Sequence, residues 1–246
     1  MSVTGYIVIG LVAFLGAMLQ ANMGFGGAVI LINFLPLFFP YLKAVALMQG
    51  AIVILNLVYT IIYWKKVRWD IIWPAVIPSV IIGLFFSFYS VNFDVQVLKL
   101  GLGVVFILLA VYYLAVVDRI HMLPSKINGF FMGTFSGLAN ALFGFAGPPL
   151  ALYLVPSIDD KLEYFASSQA CFLCSSLACI SARLFAGVYE VSDLPNLLYI
   201  AVFFFLGIFF GLKILKKIKG DAFKKIIYAF IGLNGVYIII KQLIGG

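Results

Sequence analysis

Apolar residues run in ten stretches separated by short polar breaks. The first five are Thr4–Gln20, Gly27–Phe39, Ala44–Trp64, Ile71–Tyr89 and Val95–Val117, and the second five are Asn128–Phe143, Gly147–Val155, Tyr164–Phe185, Asn196–Leu215 and Ala222–Leu243. A helix that crosses a bilayer needs about 20 residues, with about 17 as the lower limit. The second stretch of each set is too short. The first two stretches of each set are therefore predicted to form a broken hairpin whose Gly-rich apex lies inside the membrane, either re-entrant or fully spanning. Irregular backbone at that depth is tolerated only against protein or a water-filled cavity. Apolar and polar positions do not alternate as the strands of a membrane barrel require. The pattern predicts an all-α polytopic membrane protein of two repeats, each of about five helical segments.

The two sets are copies. Ala21-Asn-Met-Gly-Phe-Gly-Gly27 reads onto Ala141-Leu-Phe-Gly-Phe-Ala-Gly147 at an offset of 120 residues, and the same register pairs Pro36 with Pro156 and Gln49 with Gln169. A duplicated apolar segment interrupted by Gly is the best pointer in a sequence to the substrate site of a membrane transporter.

Composition agrees with the pattern. The chain is 65% hydrophobic and 10% charged, with 25 Phe, and its mean hydropathy is +1.17. No loop is long enough for a separate soluble domain. No Lys or Arg precedes the first stretch, which argues against a cleaved signal peptide. The net charge of +7 sits at segment ends, where it sets orientation rather than nucleic-acid binding. Basic loops occur at Lys65, Lys66 and Arg68, at Arg119, His121 and Lys126, and from Lys213 to Lys225. Placing them in the cytoplasm leaves both termini and the Asn92–Asp94 and Glu190–Asp193 loops outside. The halves 1–117 and 128–246 then have opposite orientation, joined by a cytoplasmic linker at 118–127. The acidic Asp159–Glu163 loop falls on the cytoplasmic side in this scheme.

Two groups of residues carry candidate chemistry. Gly24, Gly26 and Gly27 follow Gln20 and Asn22 in the first break, and Gly144, Gly147, Pro148 and Pro149 follow Ser136 and Asn140 in the second. A helix restarting after a break turns free N–H groups and a positive dipole end toward the gap, as a small anion requires. The competing reading is close packing of helices through small residues. The second group is a polar stripe. Gln49, Asn56 and Tyr63 stand seven apart, as do Gln169, Ser176 and Arg183, so each set shares one helix face. Amides suit an oxyanion without fixing a charge, but they also tie helices together. Arg183, near the outer end of its segment, either snorkels to the interface or attracts an anion. Cys171 and Cys174, with Cys179, read as small buried residues or as a membrane thiol pair. No mid-span Asp or Glu supplies a proton relay. No cofactor and no metal are expected.

The breaks resemble a known family. Gly24-Phe-Gly-Gly-Ala-Val-Ile-Leu31 with Lys43-Ala-Val-Ala46, and Gly144-Phe-Ala-Gly-Pro-Pro-Leu150 with Phe165-Ala-Ser-Ser168, are similar to the TauE/SafE sulfite-exporter-like permeases. The departures are Ala28 for the family's third Gly, Ala146, Pro148 and Pro149 for the second Gly run, and Leu47-Met48-Gln49 after the Ala-Val-Ala. The resemblance implies a permease of the plasma (bacterial inner) membrane that moves sulfite or an organosulfonate. The expected function is secondary transport of a small anion by alternating access. The alternatives are an anion channel and a thiol oxidoreductase using Cys171 and Cys174. Expected partners are the anionic substrate and the lipid bilayer, with no nucleic acid; a homodimer is left open.

Overall fold

The computed structural model describes residues 2–23, 26–116, 124–214 and 221–244. The expectations for Gly24, Arg119, His121, Lys216, Lys217 and Lys219, and for most of the linker at 118–127, lie outside the described residues. Those residues form ten α-helices and no strand. They are α1 (Val3–Met23), α2 (Gly27–Phe34), α3 (Tyr41–Ile62), α4 (Trp69–Tyr89), α5 (Val95–Val111), α6 (Lys126–Phe143), α7 (Gly147–Leu154), α8 (Lys161–Phe185), α9 (Leu194–Ile214) and α10 (Asp221–Ile244). Each overlays one predicted stretch. Polar residues set several starts. Asp94 accepts from the Gln96 N–H at 2.7 Å, Ser125 from the Asn128 N–H at 3.2 Å, and Asp160 from the Leu162 and Glu163 N–H groups at 2.9 Å. Each satisfies donors that the first turn leaves open.

Six segments among the described residues are long and apolar enough to cross a membrane: Val3–Ala21, Tyr41–Ile62, Trp69–Asn92, Val95–Leu114, Lys161–Phe185 and Val191–Gly211. The chain is a multi-pass integral membrane protein. α2 and α7 have 8 residues each, about 12 Å of helix against a hydrocarbon layer of about 30 Å.

By packing the chain forms two compact units, Met1–Val91 with Met122–Lys213, and Asn92–His121 with Ile214–Gly246. In the first unit, α3 and α8 form the centre, with 67% and 72% of their apolar windows buried, against 39% for α4. They run antiparallel. Lys43 near the start of α3 reaches Val188 just past α8, while Tyr59 near the end of α3 packs edge-on against Phe165 near the start of α8. α1 packs on α2, α6 on α7, and α4 on both α6 and α8. Small residues permit the close approaches. Gly129, Gly133 and Gly137 line one face of α6, and a Cβ on Gly137 would stand 2.8 Å from Ser79 Cα of α4. α9 meets α1 in the same way, and a Cβ on Gly211 would stand 2.9 Å from Met18 Cα. Ile7, Leu11 and Leu15 on α1, and Ile77, Ile81 and Phe85 on α4, are exposed; apolar stripes of this kind suit lipid.

The second unit is the antiparallel pair α5 and α10. A Cβ on Gly103 would stand 2.9 Å from the Gly235 carbonyl, and Gln96 Nε2 donates to the Gln242 carbonyl at 3.1 Å.

Candidate functional site

Both Gly stretches interrupt the helix. Gly26, with φ 115°, turns the chain into α2. Gly144, with φ 79°, ends α6, and Phe145 and Ala146 lead into α7. A side chain at either position would be strained in this left-handed conformation. Ser136 Oγ donates to the Ala146 carbonyl at 2.8 Å and braces the second break.

The two helix starts are unequal in the donors they offer. In α2 the first intrahelical bond runs from the Ile30 N–H to the Gly26 carbonyl, so the N–H groups of Gly27, Ala28 and Val29 have no acceptor within the helix. In α7 the corresponding positions are Gly147, Pro148 and Pro149. Proline has no N–H, so Gly147 alone offers a donor.

A small cavity joins the two breaks. Its wall pairs residues 120 positions apart: Gln20 with Asn140, Gly26 with Ala146, Ala28 with Pro148, Ile52 with Phe172, and Asn56 with Ser176. Val29, Gly144, Phe145 and Gly147 complete it. The space open to the centre of a water-sized guest is about 30 Å³. A single water needs about 10–15 Å³ on that measure, so the cavity suits a small solute. No carboxylate lines it.

Behind this wall runs a buried polar chain. Arg183 Nη1 donates to Gln49 Oε1, and Nη2 donates to the Ala141 carbonyl. Gln49 Nε2 donates to the Asn140 carbonyl at 2.7 Å and to Asn140 Oδ1 at 2.8 Å. Asn140 Nδ2 donates to Ser175 Oγ at 2.9 Å and to Ser176 Oγ at 3.3 Å. Ser79 Oγ lies 2.9 Å from Ser175 Oγ and links α4 to the chain. The residues come from α3, α4, α6 and α8.

Arg183 is fully buried, so of the two readings of it the one in which it snorkels to the interface is excluded, and it stands behind the cavity wall rather than in it. The chain turns back after α8 at Gly187 (φ 71°), and the Tyr189 hydroxyl donates to the Ala46 carbonyl at 2.9 Å. Only the side of the last turn that carries Arg183 is enclosed; Leu184 and Phe185 beside it are exposed. Among the described residues no carboxylate pairs with it.

Asn56 differs from its neighbours. It is 1% exposed, it lines the cavity, and neither its Nδ2 nor its Oδ1 has a hydrogen-bond partner. Such a group costs about 1–3 kcal/mol to bury, and it is available to a guest. Gln49, by contrast, has both ends engaged. Gln169 is fully buried and is not part of the wall. For Asn22 the helix is described but not the side chain. Cys171, Cys174 and Cys179 are free thiols along α8.

Ala28, Val29, Ile52, Phe145, Ala146 and Phe172 are wall residues that the sequence reading does not single out for binding, and Gln20 it names only beside the first break. Gln20 is findable as the repeat partner of Asn140; the apolar six carry no polar signal.

A family model described as sulfite exporter TauE/SafE matches residues 9–238 of the chain. No curated protein and no solved structure matches it.

Proposed function

This chain belongs to the sulfite exporter TauE/SafE family, and on that premise we propose that it is a secondary transporter of a small anion, sulfite or an organosulfonate, held in the cavity between the two helix breaks. The observation that carries the reading is Asn56, a buried amide without a partner that faces a cavity free of carboxylates. The N–H groups of Ala28 and Val29, wall residues at the positive end of α2 with no acceptor within that helix, supply further donors of the kind an oxyanion accepts. Residues 1–117 and 128–246 act as inverted halves joined by 118–127. The antiparallel course of α3 and α8, and the 120-residue pairing in the cavity wall, support this. Alternating access exposes the cavity to one side and then the other.

Ligand-induced stabilisation of the purified protein tests the reading. A ligand that binds only the folded state at 100 times its Kd stabilises it by about 2.7 kcal/mol. Sulfite, thiosulfate or sulfoacetate is expected to raise the melting temperature. If only cations or neutral solutes do so, the anion reading fails.

A further inference from the structure

Arg183 is an expensive residue to place where it is. A buried guanidinium inside a membrane helix has a large desolvation penalty, and a neutral amide would tie α8 to α3 without it. The repeat register puts Tyr63 at the equivalent position of the other half, so the arrangement exists once.

Its consequence lies in the direction of the hydrogen bonds. A guanidinium has donors only, so the atom of Gln49 that meets it must be Oε1. That turns Nε2 toward Asn140, where the backbone carbonyl also demands a donor. Nε2 then takes Oδ1 as well, and Asn140 is left with its N–H edge toward Ser175 and Ser176. Asn140 and Ser176 both line the cavity. Ser176 Oγ, already accepting from Asn140, keeps its O–H as a donor. Each link runs the same way, from the cation toward the cavity.

We propose that Arg183 is a positioning residue that fixes the hydrogen-bond polarity of the cavity through Gln49 and Asn140, so that the site presents donors and selects an acceptor-only guest, an anionic oxygen. The inference rests on the transporter reading above, because it assumes that the cavity holds the anion. Arg183 supplies the positive charge the guest meets, at one remove. Gln49 is the switch point, because an acceptor in its place would reverse the chain.

The test is the sulfite concentration that gives half-maximal thermal stabilisation of the full chain in detergent. Arg183→Met and Gln49→Glu are expected to raise it by about 10- to 100-fold, as loss of a charge-assisted network does. Arg183→Lys, which still donates to Gln49 Oε1, is expected to restore most of the response. Gln49→Glu should remain folded without ligand, because its carboxylate pairs with Arg183, so its loss of response reports polarity rather than unfolding. If wild type responds to sulfite and Gln49→Glu responds equally, the relay is wrong while the transporter reading stands. The same holds if Arg183→Lys responds no better than Arg183→Met. If wild type responds to no anion, the transporter reading itself fails, and the relay falls with it.

Discussion

Lys43 and Glu163 stand 120 residues apart, each third in its helix, and each is held by an ion pair to the connection beyond the other helix. Lys43 Nζ of α3 meets Asp193 Oδ2 at 2.8 Å and Glu190 Oε1 at 3.1 Å, past the end of α8. Glu163 Oε2 of α8 meets Arg68 Nη1 at 3.4 Å, past the end of α3. A cation in the first turn of α3 opposes the helix dipole, so Lys43 owes its place to these partners and to the Val188 carbonyl at 3.1 Å. Because α3 and α8 are antiparallel and long enough to span, the Lys43 pairs and the Glu163 pair strap opposite ends of the central helix pair.

In the alternating-access cycle proposed above, the straps would open in turn. Lys43→Gln is expected to raise access to the cavity from the end carrying Val188–Asp193, and Arg68→Gln from the other end. Half-exposed pairs contribute about 1 kcal/mol or less, so a change of about 5-fold is the scale. The measurement is labelling of Ile52→Cys by an impermeant thiol reagent added to either side of proteoliposomes, with the three native cysteines replaced by Ala. Equal increases from one side in both variants would exclude the strap assignment.

Acidity should loosen one strap. Glu190 lies outside the spanning helices, and its hydrogen bond from Lys43, then one from Ser192, holds its carboxyl below the usual range. A carboxylate whose pKa falls on folding adds stability above the unfolded value of about 4.3. That stability disappears as pH falls through the lowered folded value. Glu190→Gln should therefore melt slightly below wild type near neutral pH, with the two converging as the pH falls through the lowered folded value. A gap that widens in acid would contradict the pairing.

Asn56→Leu separates stability from binding. Removing a buried polar group without partners leaves stability unchanged or raises it by about 1 kcal/mol, while the sulfite-induced melting shift should largely disappear. A variant that melts lower yet keeps its full shift would assign Asn56 a structural role only.

Gly137→Ala tests the α4–α6 contact. Its Cβ would stand 2.5 Å from the Ser79 carbonyl oxygen and 2.8 Å from Ser79 Cα. Backbone cannot yield as a flexible side chain does, so a loss of about 1–3 kcal/mol is expected in thermal unfolding. Phe135→Leu, on the exposed face of the same helix, should stay within about 0.5 kcal/mol of wild type. Equal effects would mean that α4 and α6 do not meet there.

Much of this was readable from the chain. Gly and Pro punctuate α2 and α7 sharply, so both breaks and their 120-residue register were visible in one sequence. The polar partnerships were not, because they join distant positions. Gln49 meets Arg183 across 134 residues, and no local pattern announces that. Arg183 looked interfacial from its place late in α8, and only the return of Tyr189 over Ala46 buries it. The acidic Asp159–Glu163 loop sat awkwardly beside the basic loops until the Arg68–Glu163 pair put the two on the same end of the helix pair. Pro148 and Pro149 were legible throughout, although their missing N–H groups matter only once α7 is known to start at Gly147.

Those two prolines would make the proposed carrier lopsided. A guest leaning on α2 meets the N–H groups of Ala28 and Val29, and one leaning on α7 meets that of Gly147 alone. In the proposed cycle the state in which α2 dominates the contact would grip harder than its mirror counterpart. Detailed balance forbids such a difference from creating a gradient, yet it would set unequal half-saturation on the two faces of the bilayer. The face served by α7 would be the one where cargo lets go.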